Sequence, residues 1–158
     1  MVEDARFEDA DASPLNLQAL DEDDLQVISA LAQDAVFPAC EMRWDRVARR
    51  FAILINRFRW EQRASPDPKM APPERVQAVL MVGEVLNVAS QGIARNDKDL
   101  ILSLLAISFT PGDDGTGRLE LTLAGDGALA VDVEALDVTL KDVTRAYVAP
   151  SRKVPQHR

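Results

Sequence analysis

From Met42 to Leu140 the large apolar residues recur at every second position, and the parity of that alternation switches three times. Period two sends successive side chains to opposite faces of a strand, so each run reads as a half-buried β-strand. A switch of parity needs one extra residue, because a one-residue slip would otherwise turn the whole apolar set to solvent. Met42 and Trp44, then Phe51, Ile53 and Ile55, form a hairpin around a polar turn near Asp45–Arg49. Phe58 and Trp60 follow on the other parity, which predicts a β-bulge at Asn56–Arg57. Val76, Ala78, Leu80 and Val82 continue in phase through Gly83 to Leu86 and Val88, as one long bent strand would.

The second switch separates Leu100, Leu102 and Leu104 from Leu105, Ile107 and Phe109. A short helix over 99–106 is the alternative there, since a brief continuous apolar run fits either element. Leu119, Leu121 and Leu123 pair back onto Leu129, Val131 and Val133 through Gly125-Asp126-Gly127, with glycine available for a left-handed position. The third switch, at Glu134–Ala135, leads into Leu136, Val138 and Leu140. Leu15, Leu17 and Ala19 suggest a further short strand.

One helix is well signalled. Asp21 is a good N-cap, and Glu22, Asp23 and Asp24 place negative charge where the helix dipole favours it. Leu20 and Leu25 occupy staple positions, and Leu25, Ile28, Leu31 and Ala32 form one apolar stripe to about Gln33. About seven strands and this N-terminal helix predict an α+β fold with a strongly curved antiparallel sheet, barrel-like or split into two packed sheets. Residues 14–143 read as a single domain, preceded by a disordered acidic leader over 1–13 and followed by a flexible basic tail over 144–158. The four prolines between 61 and 74 read as a long exposed loop.

Charge is strongly segregated. Residues 1–34 carry ten acids and only Arg6, whereas 43–63 carry seven of the chain's 18 basic residues, all arginine, and both tryptophans. The net charge of −8 argues against sequence-blind nucleic-acid binding. No run reaches the roughly 18 apolar residues of a membrane span. The N-terminus is acidic where a signal peptide would be basic, and Cys40 is a lone cysteine, so a reducing cytoplasm is expected.

Catalytic chemistry finds little support. His157 is the only histidine and sits next to the last residue, which disfavours nucleophile–histidine systems and zinc. No phosphate-binding loop or dinucleotide fingerprint is present, so neither a metal nor a cofactor is expected. The acids Asp126, Asp132, Glu134, Asp137 and Asp142 read as a solvated face of the last hairpin. The arginine stretch remains, with two readings. In one, both tryptophans are core and the arginines pair with the acidic helix. In the other, with the bulge in place, Arg43, Arg50, Arg57 and Arg59 share an outward face flanked by Trp44 and Trp60. Such a face suits a protein partner or a small anionic ligand, with nucleic acid less favoured. Replacing Arg57 and Arg59 by alanine is then expected to abolish anion binding and leave the fold intact.

The segments LNLQALDEDDLQVISA, RRFAILINRFRWE, VASQGIARNDKDLILSLLAISF and LTLAGDGALAVDVEALDVTLKDV resemble an uncharacterised alphaproteobacterial family, domain of unknown function 2948. The likeness covers roughly Pro14–Val143 and lies in patterns of strand and turn. It implies a single-domain cytoplasmic bacterial protein and supplies no functional residues. The resulting expectation is a non-enzymatic binding or interaction module using the arginine-rich hairpin. The alternative is a small-molecule enzyme or ligand sensor with a carboxylate- or arginine-lined pocket in the curved sheet.

Overall fold

Leu105 stands unpaired between Leu104, opposite Leu123, and Ala106, opposite Thr122, and this one extra residue organises the architecture. It lies in β7 (Ile101–Pro111), a strand of 11 residues, so the short helix over 99–106 is not formed. Before the bulge β7 pairs with β2 (Val36–Pro38), and after it with β8 (Gly117–Leu123). The bulge re-aims the strand, and β7 thereby belongs to two sheets. The computed structural model describes residues 14–61, 74–94, 99–143 and 147–148. The expected leader over 1–13, nearly all of the proline-rich loop and most of the basic tail lie outside these residues.

The remaining elements are β1 (Asn16–Ala19), α1 (Glu22–Ala32), β3 (Met42–Asp45), β4 (Arg50–Phe58), β5 (Glu74–Val82), β6 (Val85–Gln91), β9 (Ala128–Val133), β10 (Val138–Asp142) and β11 (Tyr147–Val148). The main path runs β1-β10-β5-β4-β2-β7-β8-β9-β6, with β3 beside β4 and β11 beside β5. Every ladder is antiparallel. The α+β class and the antiparallel sheet are as expected, but among the described residues the strands number eleven and the path is open, ending at β1 and β6.

Two of the expected continuities break at the corners. The run from Val76 to Val88 is two strands in different sheets. Gly83 and Glu84 turn between them, with Glu84 in the left-handed region at φ 55°. Val85 rather than Leu86 then faces the core, and Leu86 is 53% exposed beside a register shift. The third parity switch is likewise a crossing, because residues 134–137 carry the chain from β9 in one sheet to β10 in the other. These corners are tied to each other by the backbone, Gly83 N to Asp137 O at 2.8 Å and Glu134 N to Glu84 O at 2.8 Å. A Cβ at Gly83 would lie 3.1 Å from Asp137 Oδ2, so a larger residue there would require the Asp137 side chain to give way by a few tenths of an ångström.

The first parity switch is not realised. β4 pairs with β5 in unbroken register from Phe51↔Val82 to Phe58↔Arg75, so there is no bulge at Asn56–Arg57. Odd positions of β4 therefore face the core throughout, Arg57 among them. The core itself is one cluster built from Phe51, Ile53 and Ile55 of β4, Ala78, Leu80 and Val82 of β5, and the inward leucines and valines of β8, β9 and β10. Helix α1 buries Leu25, Ile28 and Ala32 against it. Ser29 Oγ accepts a hydrogen bond from Ile107 N at 2.9 Å, just past the bulge of β7.

The helix begins where its cap dictates. Asp21 is extended, and its Oδ1 accepts from Asp24 N at 2.8 Å. Leu20 contributes little as a staple, being 63% exposed. Replacing Asp21 with alanine should lower the unfolding free energy by about 0.5–2 kcal/mol in urea denaturation. An unchanged midpoint would show that packing alone holds α1 in place.

Candidate functional site

The arginines of the 43–63 stretch divide into two groups with opposite surroundings; Arg63 lies outside the described residues. Arg57 is fully buried. Its Nε donates to Asp142 Oδ1 at 3.0 Å and its Nη2 to Asp142 Oδ2 at 2.9 Å, one fork across to β10. A second fork reaches Glu61, from Nη1 and Nη2 at 3.0 Å each, and Nη1 also donates to the Phe58 carbonyl at 3.0 Å. All five N–H groups are thereby used, the condition under which a guanidinium can occupy a core position. Asp142 is itself buried and not on a solvated face, and its Oδ2 accepts from Leu15 N at 2.8 Å. Desolvation pushes the pKa of Arg57 down, and the hydrogen bonds and charges of Glu61 and Asp142 more than offset it, so the net shift is upward. Its contribution is thus fully present below the ordinary arginine range and is lost only as pH rises through the raised value.

Arg59 joins the same network. It is 6% exposed, donates from Nη1 to Glu74 Oε1 at 2.6 Å, and lies 3.7 Å from Glu61 Oε2. Its Nη2 is buried with no acceptor. Three carboxylates surround these two guanidinium groups, so they do not form the outward anion-binding face expected from the sequence. Trp60 is also separate. Its Nε1 donates to the Gln33 carbonyl at 2.8 Å, and its ring stands 5.6 Å from that of Phe58, at the seam between β4 and the end of α1.

The other end of the stretch is different. Arg49, in the left-handed region at φ 59°, pairs with Glu134 and lies 3.7 Å from Glu84, clamping the two sheet corners to the β3–β4 turn. Arg43, Arg46 and Arg50 are exposed, and none has a carboxylate partner among the described residues. Arg43 Nη1 turns back onto the carbonyls of Cys40 and Met42, and Cys40 is exposed. Arg43 and Arg50 lie on the outer face of the hairpin. Arg46, in the turn, stacks over Trp44 with Cζ 4.3 Å from the ring centroid.

Trp44 and Arg46 line a cleft of about 330 Å³ between the two sheets. Met42, Phe51 and Ala39 complete its wall on the β3–β4 side, with Trp44 directly opposite Phe51 in register. Asn87 and Val88 of β6 and Leu129 of β9 form the facing wall. The cleft sits beside the open end of the strand path, because β6 pairs only with β9 and β3 only with β4 among the described residues. The indole Nε1 of Trp44 is buried and has no hydrogen-bond acceptor among the described residues. Of the six site residues expected from the sequence, the cleft contains Trp44 alone. Arg46 stands in the same stretch but in the hairpin turn, off the alternating face that the sequence picks out, whereas Asn87, Val88 and Leu129 have no sequence signal, since only the crossing of the chain between sheets brings residues some 40 to 80 positions apart to one place.

The two groups of arginines should separate on substitution. Arg57→Ala leaves Asp142 and Glu61 without their buried partner and should cost about 3–5 kcal/mol in urea unfolding, whereas Arg46→Ala should leave the midpoint almost unchanged. Equal effects would refute the division into a structural and an accessible set.

Among the described residues no helix is long and apolar enough to cross a membrane. No curated protein and no solved structure matches the chain. A protein-family profile does match, over residues 15–157, which takes in both the ion network and the cleft. The chain therefore belongs to the family described as Protein of unknown function (DUF2948).

Proposed function

We propose that this protein is a non-enzymatic binding module that takes a small anionic ligand in the cleft between β3 and β6. The observation that carries the reading is Arg46, which stacks on Trp44 in the cleft wall and is the only charged group among the described lining residues. A lone cation in a largely apolar lining suits an anion. The lining also supports binding over catalysis. Among the described residues the lining holds no acid, base or nucleophile of the kinds that carry proton transfer or covalent chemistry. The volume of about 330 Å³ lies within the range of small-molecule sites.

A second reading, contact with an acidic protein partner, rests on Arg43 and Arg50, exposed on the outer face of the hairpin without carboxylate partners. The two readings separate by experiment. A thermal-shift screen of metabolites should find anions that raise the melting temperature by an amount growing with ligand concentration. Arg46→Gln, which keeps a side chain of similar length and removes the charge, should weaken binding of any hit by about tenfold. No stabilising anion, or a hit indifferent to Arg46→Gln, would overturn the cleft reading and favour the partner surface.

A further inference from the structure

We infer that the outer face of the sheet built from β3, β4, β5 and β10 is a docking surface for the chain's own acidic N-terminal segment, residues 1–13. An antiparallel sheet with one face on the core ordinarily turns polar side chains outward. Here Phe51–Ile55 of β4 and Ala78–Val82 of β5 are unbroken apolar runs, the composition of strands covered on both faces. Ala52, Leu54, Val79 and Met81 point away from the core and lie together, Ala52 opposite Met81 and Leu54 opposite Val79. All four are partly exposed, and α1 packs from the core side. Among the described residues no helix or strand is packed over this patch.

The rim of the patch is cationic. Arg43 lies opposite Ala52 on β3, Arg50 stands two residues before Ala52 on β4, and Lys141 lies opposite Val79 on β10. All three are exposed, and none has a carboxylate partner among the described residues. Asp45, opposite Arg50, instead accepts from Ala48 N at 3.0 Å, and Asp137 accepts from Gln18 Nε2 at 3.0 Å. In a chain of net charge −8, unpaired cations around one apolar patch suit an acidic occupant. Residues 1–13 carry Glu3, Asp4, Glu8, Asp9 and Asp11 against Arg6 alone, with Phe7 as their one aromatic ring. The C-terminal stretch 145–158 has four basic residues and no acid, so charge disfavours it. Two copies meeting through this face would set like charges against one another.

The tether is also in place. Leu15 N donates to Asp142 Oδ2 at 2.8 Å and Asp142 N donates to Leu15 O at 2.9 Å, so the segment leaves the sheet beside Lys141. From β1 to β3 is four strand spacings, through β10, β5 and β4, or about 19 Å. Asp4 to Asn16 reaches up to about 40 Å when extended, enough to cross the patch to Arg43 and Arg50. A tethered segment meets its site at high effective concentration, so modest contacts hold it. The assignment is independent of the cleft reading, and an acidic protein partner at Arg43 and Arg50 must displace this segment.

Cys40, exposed and the chain's only cysteine, stands three residues before Arg43 and takes a nitroxide spin label in the full chain. At low salt the amide NMR signals of residues 3–11 should lose most of their intensity relative to the reduced label. They should recover it at about 1 M salt, where the screening length falls to about 3 Å. Recovery should also follow Arg43→Gln combined with Arg50→Gln. A second variant, Glu3→Gln, Asp4→Asn, Glu8→Gln, Asp9→Asn and Asp11→Asn in one chain, should restore the signals and shift the methyl resonances of Leu54, Val79 and Met81. Signals undiminished at low salt would overturn the docking. Loss that persists in either variant would reject the charge recognition on which it rests. Unmoved methyls would place the segment off this face and overturn the assignment. Equal loss on an isotope-labelled chain mixed with a spin-labelled one would assign the segment to a second copy and overturn docking within one chain.

Discussion

Two sheets with one common core must be joined without leaving backbone polar groups unpaired inside. In this protein β7 solves that problem by changing partners within a single strand. Leu105 is the surplus residue at the change, and around it the freed backbone groups are re-satisfied locally. Leu104 exchanges hydrogen bonds with the segment leading into β2, donating to Ala35 O at 2.9 Å and accepting from Asp34 N at 2.7 Å. Ala124 N reaches Ser103 O at 2.9 Å, and Ser29 accepts Ile107 N. Helix, β2 and the tip of the β8–β9 hairpin thus meet at one residue's irregularity. The two other crossings, at Gly83–Glu84 and at 134–137, follow because the strands on either side are already committed to different sheets.

The buried arginines show how a polar sequence can hide in a core. Arg57 occupies a position that in β4 alternates with Ile55 and Ile53, and it is tolerated there because Asp142, Glu61 and the Phe58 carbonyl together consume every donor. Hydrophobic residues of similar volume could match such a network in stability, so its distinguishing contribution is register. A one-residue slip of β4 against β5, or of β5 against β10, would strand these charges without partners. At the opposite end of β4 the constraint is reversed. Among the described residues Arg43, Arg46 and Arg50 meet no carboxylate, and Trp44 Nε1, buried nearby, has no acceptor. One strand therefore carries a closed electrostatic account at its C-terminal end and an open one at its N-terminal end.

Much of this was legible in the sequence. Period two located most of the strands, the capping chemistry of Asp21 set the start of α1, and the parity change at Leu104–Leu105 marked the bulge in β7. Parity misled where a charged residue stood at a core position. Arg57 was taken for a surface residue, so Phe58 and Trp60 seemed to require a bulge that β4 lacks. Its partners lie 85 and 4 residues away, and the distant one, Asp142, carries no local mark that distinguishes it from the exposed acids around it. The cleft was illegible for a related reason. Trp44 and Arg46 stand in the stretch that drew attention, but their facing wall comes from β6 and β9, whose contribution depends on two sheet crossings that no short-range pattern encodes.

The pairing of β1 with β10 has a consequence for synthesis. Asn16 lies opposite Lys141 and Ala19 opposite Val138, so the first strand of the fold to be made finds its only strand partner in nearly the last. Closing so long a loop costs chain entropy before any contact repays it. On the ribosome, β1 must therefore wait for β10, while the apolar stripe of α1 waits for β7, against which it chiefly packs. The dense acids at the start of α1 then have a second value during that interval. They keep an unsheltered amphipathic helix hydrated and mutually repulsive between neighbouring nascent chains, until β7 arrives to cover it.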